Sequence, residues 1–89
     1  MKTDEVIRKK IDNDDGTTTL VFYADEKEVA KAIVDRNYDV IKLAGEIPDG
    51  IVNQYYDNGN ILAEAYYKDN RIEGLTKIYH ENGKLYREW

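Results

Sequence analysis

The sequence predicts a mainly β protein, an antiparallel meander of tandem hairpins with seven or eight short strands. Three observations predict it. Residues 50–64 lie over residues 74–88 without a gap, with Gly50 on Gly74, Tyr55 on Tyr79 and Glu64 on Glu88. An Asn-Gly pair falls at the same place in each copy, Asn58-Gly59 and Asn82-Gly83, and Asn-Gly between β-forming residues is the strongest short-range hairpin signal. Eight tyrosines stand against one Phe and one Trp. Tyr suits a half-buried sheet face, because its ring packs while its hydroxyl stays wet.

Each element follows in order. Residues 5–11 and 17–23 read as strands, the second rich in β-branched and aromatic side chains. Asp12, Asn13, Asp14, Asp15 and Gly16 form the loop between them. A calcium loop of the EF-hand kind needs Gly at its sixth position, which would put Ile11 where a carboxylate is required, so a polar turn is the reading. Residues 25–38 carry two patterns. Asp25 with Glu28 resembles a helix N-terminal capping pair, giving an α+β alternative with one helix near 26–37. The preferred reading pairs a strand over 28–34 with one over 39–44, turning at Asp35-Arg36-Asn37-Tyr38 as a degenerate copy of the Asn-Gly unit.

Ile47-Pro48-Asp49-Gly50 reads as a type I turn closed by a left-handed Gly. Two-residue type I′ turns are expected at Asn58-Gly59 and Asn82-Gly83, and a tight turn at Asp69-Asn70. These turns set the register. Ile51, Tyr55, Leu62, Tyr66, Leu75, Tyr79 and Tyr86 share one face with Asn53, Glu64, Glu73, Lys77 and Glu88. Val52, Tyr56, Ile61, Ala63, Ala65, Tyr67, Ile72, Ile78, Leu85 and Trp89 share the other, more apolar face with Gln54, His80 and Arg87. Lys77 then faces Glu88 across a strand pair. One domain is expected over 1–89, with degenerate N-terminal strands to residue 46 and two repeats from 47 to 89.

These residues resemble the bacterial variant of the MORN repeat. Its pattern is carried by Gly50, Tyr55, Tyr56, Asn58, Gly59, Ile61, Glu64 and Tyr67, and again by Gly74, Tyr79, Asn82, Gly83, Leu85 and Glu88. Asn70 stands where a turn Gly is usual, and His80 where the second Tyr is usual. The resemblance covers about half the chain. It implies a hairpin-repeat fold and specifies no activity. Some bacterial members are labelled as antitoxins of toxin–antitoxin pairs.

Composition narrows the function. Net charge is −5 with Lys and Arg scattered among carboxylates, so no basic stripe marks a nucleic-acid binder. There is no Cys, hence no disulfide, thiol chemistry or thiolate metal site. No apolar run approaches the ~20 residues of a membrane span. Residues 1–5 lack the apolar stretch of a signal peptide, so the default expectation is cytoplasmic, with export left open if a leader precedes Met1.

His80, the single His, lies beside a turn with no second His or nucleophile motif near it, and reads as a sheet-face residue. Glu64 and Glu88 recur because the repeat recurs. No catalytic, cofactor or metal residue is assigned. The expected function is a non-catalytic repeat domain mediating protein–protein interaction. Its candidate surface is Tyr55, Tyr56, Tyr66, Tyr67, Tyr79, Tyr86 and Trp89. The alternatives are an antitoxin-like binder of a basic partner, or a structural unit that self-associates as a homodimer through the C-terminal edge strand, residues 84–89.

Overall fold

The computed structural model describes residues 5–88, apart from the side chain of Leu75; Trp89 therefore lies outside the described residues. Among the described residues eight strands form one sheet: β1 (Val6–Asp12), β2 (Thr18–Ala24), β3 (Lys27–Val34), β4 (Val40–Gly45), β5 (Gly50–Tyr55), β6 (Ile61–Lys68), β7 (Arg71–Tyr79) and β8 (Leu85–Glu88). The helix considered for residues 26–37 does not form. That segment is β3 and its turn into β4, because Ala30, Ala32 and Val34 alternate inward into the core, a period of two.

Strand order is β4-β3-β2-β1-β5-β6-β7-β8. Two four-stranded meanders grow outward from a central parallel pair, in which Val6 faces Val52 and Ile7 faces Asn53. Every other neighbouring pair is antiparallel.

One turn recurs at residues 13–17, 35–39, 56–60 and 80–84. In each, the first residue's N–H donates to the last residue's carbonyl, at 3.0, 3.0, 2.8 and 2.9 Å. The fourth residue has positive φ: Gly16 (89°), Tyr38 (63°), Gly59 (91°) and Gly83 (90°). This is a three-residue loop, a type I turn followed by a left-handed residue. The expected two-residue type I′ turns at Asn58-Gly59 and Asn82-Gly83 are thereby corrected, since only the Gly of each pair has φ > 0. Asn58 and Asn82 serve differently: their Oδ1 atoms accept the N–H of Asn60 (2.9 Å) and Lys84 (3.0 Å), the Asx bond that favours Asn in turns.

Type I′ geometry appears instead at Asp69-Asn70 (φ 53° and 67°) and at Asp25-Glu26 (52° and 66°). The register survives the correction. A bulge beside the loops at residues 56–60 and 80–84 absorbs the extra residue, so Asn53 still faces Glu64 and Lys77 still faces Glu88. Lys77 Nζ lies 3.8 Å from Glu88 and 4.0 Å from Glu64. The two recurrent glutamates thus flank one lysine.

The segment before Gly50 also departs from expectation. The chain bends at Asp49 without closing a hydrogen-bonded turn, although Gly50 keeps a positive φ of 119°. Ile47 is drawn into the core at 4% exposure, and its N–H donates to Asn70 Oδ1 at 2.8 Å. Asp49 Oδ1 accepts the N–H of Asp69 at 3.1 Å. The segment between β4 and β5 therefore straps the N-terminal meander to the β6–β7 turn.

The sheet curls around one core. Phe22 on β2 and Tyr67 on β6 meet edge to face with centroids 5.3 Å apart, though their strands lie three spacings apart, about 14 Å if flat. Ala30, Ala32, Ala63 and Ala65 are buried on the concave side, as are the larger Phe22 and Tyr67. The concave face is the one the register gave as more apolar: Val52, Ala63, Ala65 and Tyr67 are all buried.

Gly45 (φ +82°) and Gly59 (φ +91°) offer a paired test. A Cβ at Gly59 meets open space, whereas one at Gly45 collides with the Val29 carbonyl. Gly59→Ala is expected to cost about 1–2 kcal/mol from φ alone. Gly45→Ala adds an overpacking penalty of about 1–3 kcal/mol. Urea denaturation of the two variants measures the difference.

Candidate binding groove

Curling leaves an open groove of about 910 Å³ between the two meanders. Its floor is the β1–β5 seam. Strand alternation turns Arg8 inward after Val6, and Gln54 inward after Val52. Arg8 is only 4% exposed and Gln54 6%. Arg8 Nε donates to Gln54 Oε1 at 2.8 Å, and Nη1 donates to the Tyr67 hydroxyl at 2.7 Å. Its guanidinium carbon lies 5.5 Å from the centroid of the Tyr38 ring, within reach of a cation–π contact.

Every one of these partners is neutral. No carboxylate lies within ion-pairing distance of Arg8 among the described residues. Withdrawing a charge from water costs several kcal/mol, and neutral acceptors return only part of it. Nη2 has no protein acceptor among the described residues. It is not sealed off either, since the one buried side-chain polar atom lacking a partner there is Asn53 Oδ1. The free edge of the guanidinium therefore opens to the groove.

Tyr38 stands in the turn slot that Gly59 and Gly83 fill elsewhere. A bulky residue there costs about 1–2 kcal/mol in backbone strain. In return its ring packs against the core and covers Arg8. The walls are mixed. Leu43 and Val40 on β4 oppose Ile72 and Ile78 on β7, and Lys10, Arg36 and Arg71 add charge. Lys10 pairs with Asp12 at 3.6 Å; Arg36 and Arg71 have no ion pair among the described residues.

The tyrosines singled out from the sequence do not form one surface. Tyr67 is 3% exposed and belongs to the core. Tyr56 is half-buried, and its hydroxyl donates to the Tyr79 carbonyl at 2.6 Å, stapling one repeat to the next. The Tyr55 hydroxyl bonds Glu5. Tyr66 and Tyr86 are exposed on the convex side and at the β8 edge. Tyr86 packs edge-on to His80 with centroids 4.7 Å apart, so His80 sits in a ring contact on the surface. The turn residues Pro48 and Asp49 lie in the strap, and Asp69 and Asn70 receive it.

Sequence reasoning did not select Arg8, Tyr38 or Gln54 for a site. One signal was visible: Gln54 is a polar residue on the more apolar face.

Residues 48–69 and 72–89 match the family model described as MORN repeat variant. Both matches fall in the C-terminal half, which is thus similar to MORN-variant repeats. No curated protein and no solved structure matches the chain. The two MORN-variant units supply β5–β6 and β7–β8, hence one floor strand and one wall of the groove. The N-terminal meander supplies Arg8 and the other wall. Within it the recurrent turn persists, but the faces invert. Inward residues Val52 and Gln54 lie an even number of positions before their turn, whereas Val6 and Arg8, or Ala30, Ala32 and Val34, lie an odd number before theirs. A rotation about the strand axis carries one meander onto the other and flips its faces, so the inner-outer residue pattern of the matched units does not carry across.

Burial pushes the Tyr67 phenol above its usual 10.0, and neighbouring Arg8 offsets this only in part. A raised folded-state value favours the neutral form. The stabilisation is therefore fully present below pH 10 and is lost as pH rises through the folded value. Ultraviolet titration should show a late-ionising phenol that Tyr67→Phe abolishes. The same substitution is expected to cost about 2 kcal/mol in denaturation, because it removes an acceptor from a charged donor.

Proposed function

We propose that this protein is a non-catalytic protein-interaction module that binds its partner in the concave groove. One observation carries the reading: a buried arginine on the floor, held by neutral acceptors and open along one edge, between two partly apolar walls. Binding sites combine apolar walls with a few placed polar groups. The strained Tyr38 supports the same assignment, since strain concentrates at functional sites. A catalytic reading finds no comparable support. The groove's lining joins cations and apolar side chains with two carboxylates and no His. Its charge also disfavours a basic occupant, so antitoxin-like neutralisation of a basic partner would have to use another face.

Peptide display on the purified protein tests the proposal. Selected peptides should shift the NMR resonances of Leu43, Ile72 and Ile78. They should lose about tenfold or more in affinity to an Ile72→Asp variant, which places an unpaired charge on an apolar wall. Shifts confined to Ile51 and Tyr66 would move the binding surface to the convex side and overturn the assignment.

A second reading, self-association through β8, rests on a separate observation. All four β8 residues are exposed, with Leu85 at 50% and Tyr86 at 62%, and the strand pairs only with β7 among the described residues. Such an edge is a template for another strand. Light scattering across a concentration series should then show a dimer that Leu85→Lys weakens. A monomer at high micromolar concentration would exclude it.

A further inference from the structure

The groove carries a charge opposite to that of the protein around it. Arg8, Lys10, Arg36 and Arg71 line it against only Asp39 and Asp69, in a chain whose net charge is −5. Three of those four cations lack an ion pair among the described residues, and one of the three is buried. Building on the proposal that the groove binds a protein partner, we infer that its occupant is an acidic, partly apolar segment in extended conformation, with a carboxylate seated on the open edge of Arg8.

Charge complementarity argues for the acid. A carboxylate at Nη2 would compensate the floor guanidinium, for which the protein itself supplies only neutral acceptors. Arginine is the side chain best suited to a buried carboxylate contact, being weakly hydrated and permanently charged. The walls argue for the apolar component. Val40 and Leu43 on one side and Ile72 and Ile78 on the other present hydrocarbon beside the cations. An extended chain sends successive side chains in opposite directions, so alternating acidic and apolar residues would meet both kinds of lining at once. A compact anion would use the cations and leave the hydrocarbon walls wet. No glycine lines the groove, so it offers no Gly-rich backbone cradle for phosphate.

The test uses the full chain and two labelled peptides of about eight residues, one alternating Glu and Leu and the other Gln and Leu, read by fluorescence anisotropy and NMR. The Glu-Leu peptide should bind at least about tenfold more tightly than the Gln-Leu peptide. Its affinity should fall as salt rises. Arg8→Gln should remove most of the preference. Since Arg8 is buried, the exposed pair Arg36→Gln and Arg71→Gln provides a second variant that leaves the core intact, and it should weaken the Glu-Leu peptide several-fold while leaving the Gln-Leu peptide unchanged. Equal affinity for the two peptides would overturn the acidic assignment and leave the groove as a binding site. If neither peptide moves groove resonances, the groove reading falls with it. Binding to phosphatidylcholine–phosphatidylserine vesicles in place of the Glu-Leu peptide would overturn the inference in favour of a lipid surface.

Discussion

The seam between β1 and β5 is the constraint on which the rest depends. Among the described residues, only there do parallel strands meet, with two residue pairs in register. Two meanders that grow in opposite directions from this line would be loosely joined by backbone hydrogen bonds alone. The seam is reinforced on its concave side, where Val6 faces Val52 and Arg8 bonds Gln54 across the strands. It is reinforced again by the strap, which buries Ile47 and fastens the segment leaving β4 to Asn70 and Asp69. Between the parallel strands β1 and β5 the chain runs outward through β2, β3 and β4, and the strap that brings it back is held by the turn it touches.

Stability and the proposed binding therefore share residues. Arg8 ties the seam through Nε and the core through the Tyr67 hydroxyl, while its remaining edge faces the groove. Tyr67 packs on Phe22 and also orients Arg8. A partly satisfied buried polar network is poor core material. Its persistence at the bottom of an open groove follows if a ligand completes it. Tyr38 follows the same logic, accepting a left-handed backbone so that its ring lies over the guanidinium.

Repetition in this protein works at two levels. The three-residue turn with a left-handed fourth residue occurs four times, at the first and third connection of each meander. The inner and outer side-chain pattern repeats within each meander but is inverted between the two, and both MORN-variant matches lie in the C-terminal one. The turn is local, fixed by Gly or Tyr at one position and by nearby Asn or Asp side chains. The face pattern depends on which side of the seam a hairpin occupies. Asn70 shows how a departure from the repeat acquires a purpose: it tolerates φ of 67° as Gly would, and its amide oxygen also anchors Ile47.

By itself the sequence determined the all-strand hairpin architecture of residues 50–88, the pairing of Lys77 with Glu88 and the apolar face of the C-terminal meander, because alternation and turn chemistry act over a few residues. It also placed the turn at residues 35–38, though not the loop type at the Asn-Gly sites, since two- and three-residue loops with a compensating bulge give the same register. Tertiary structure alone decided the rest. The parallel seam joins residues 6 and 52, far apart in the chain, and no local pattern encodes that distance. Only the curl makes one face concave, turning Tyr67 from a candidate surface residue into core. Arg8, an ordinary charged residue within a strand when read along the chain, becomes the floor of a groove because two meanders close over it.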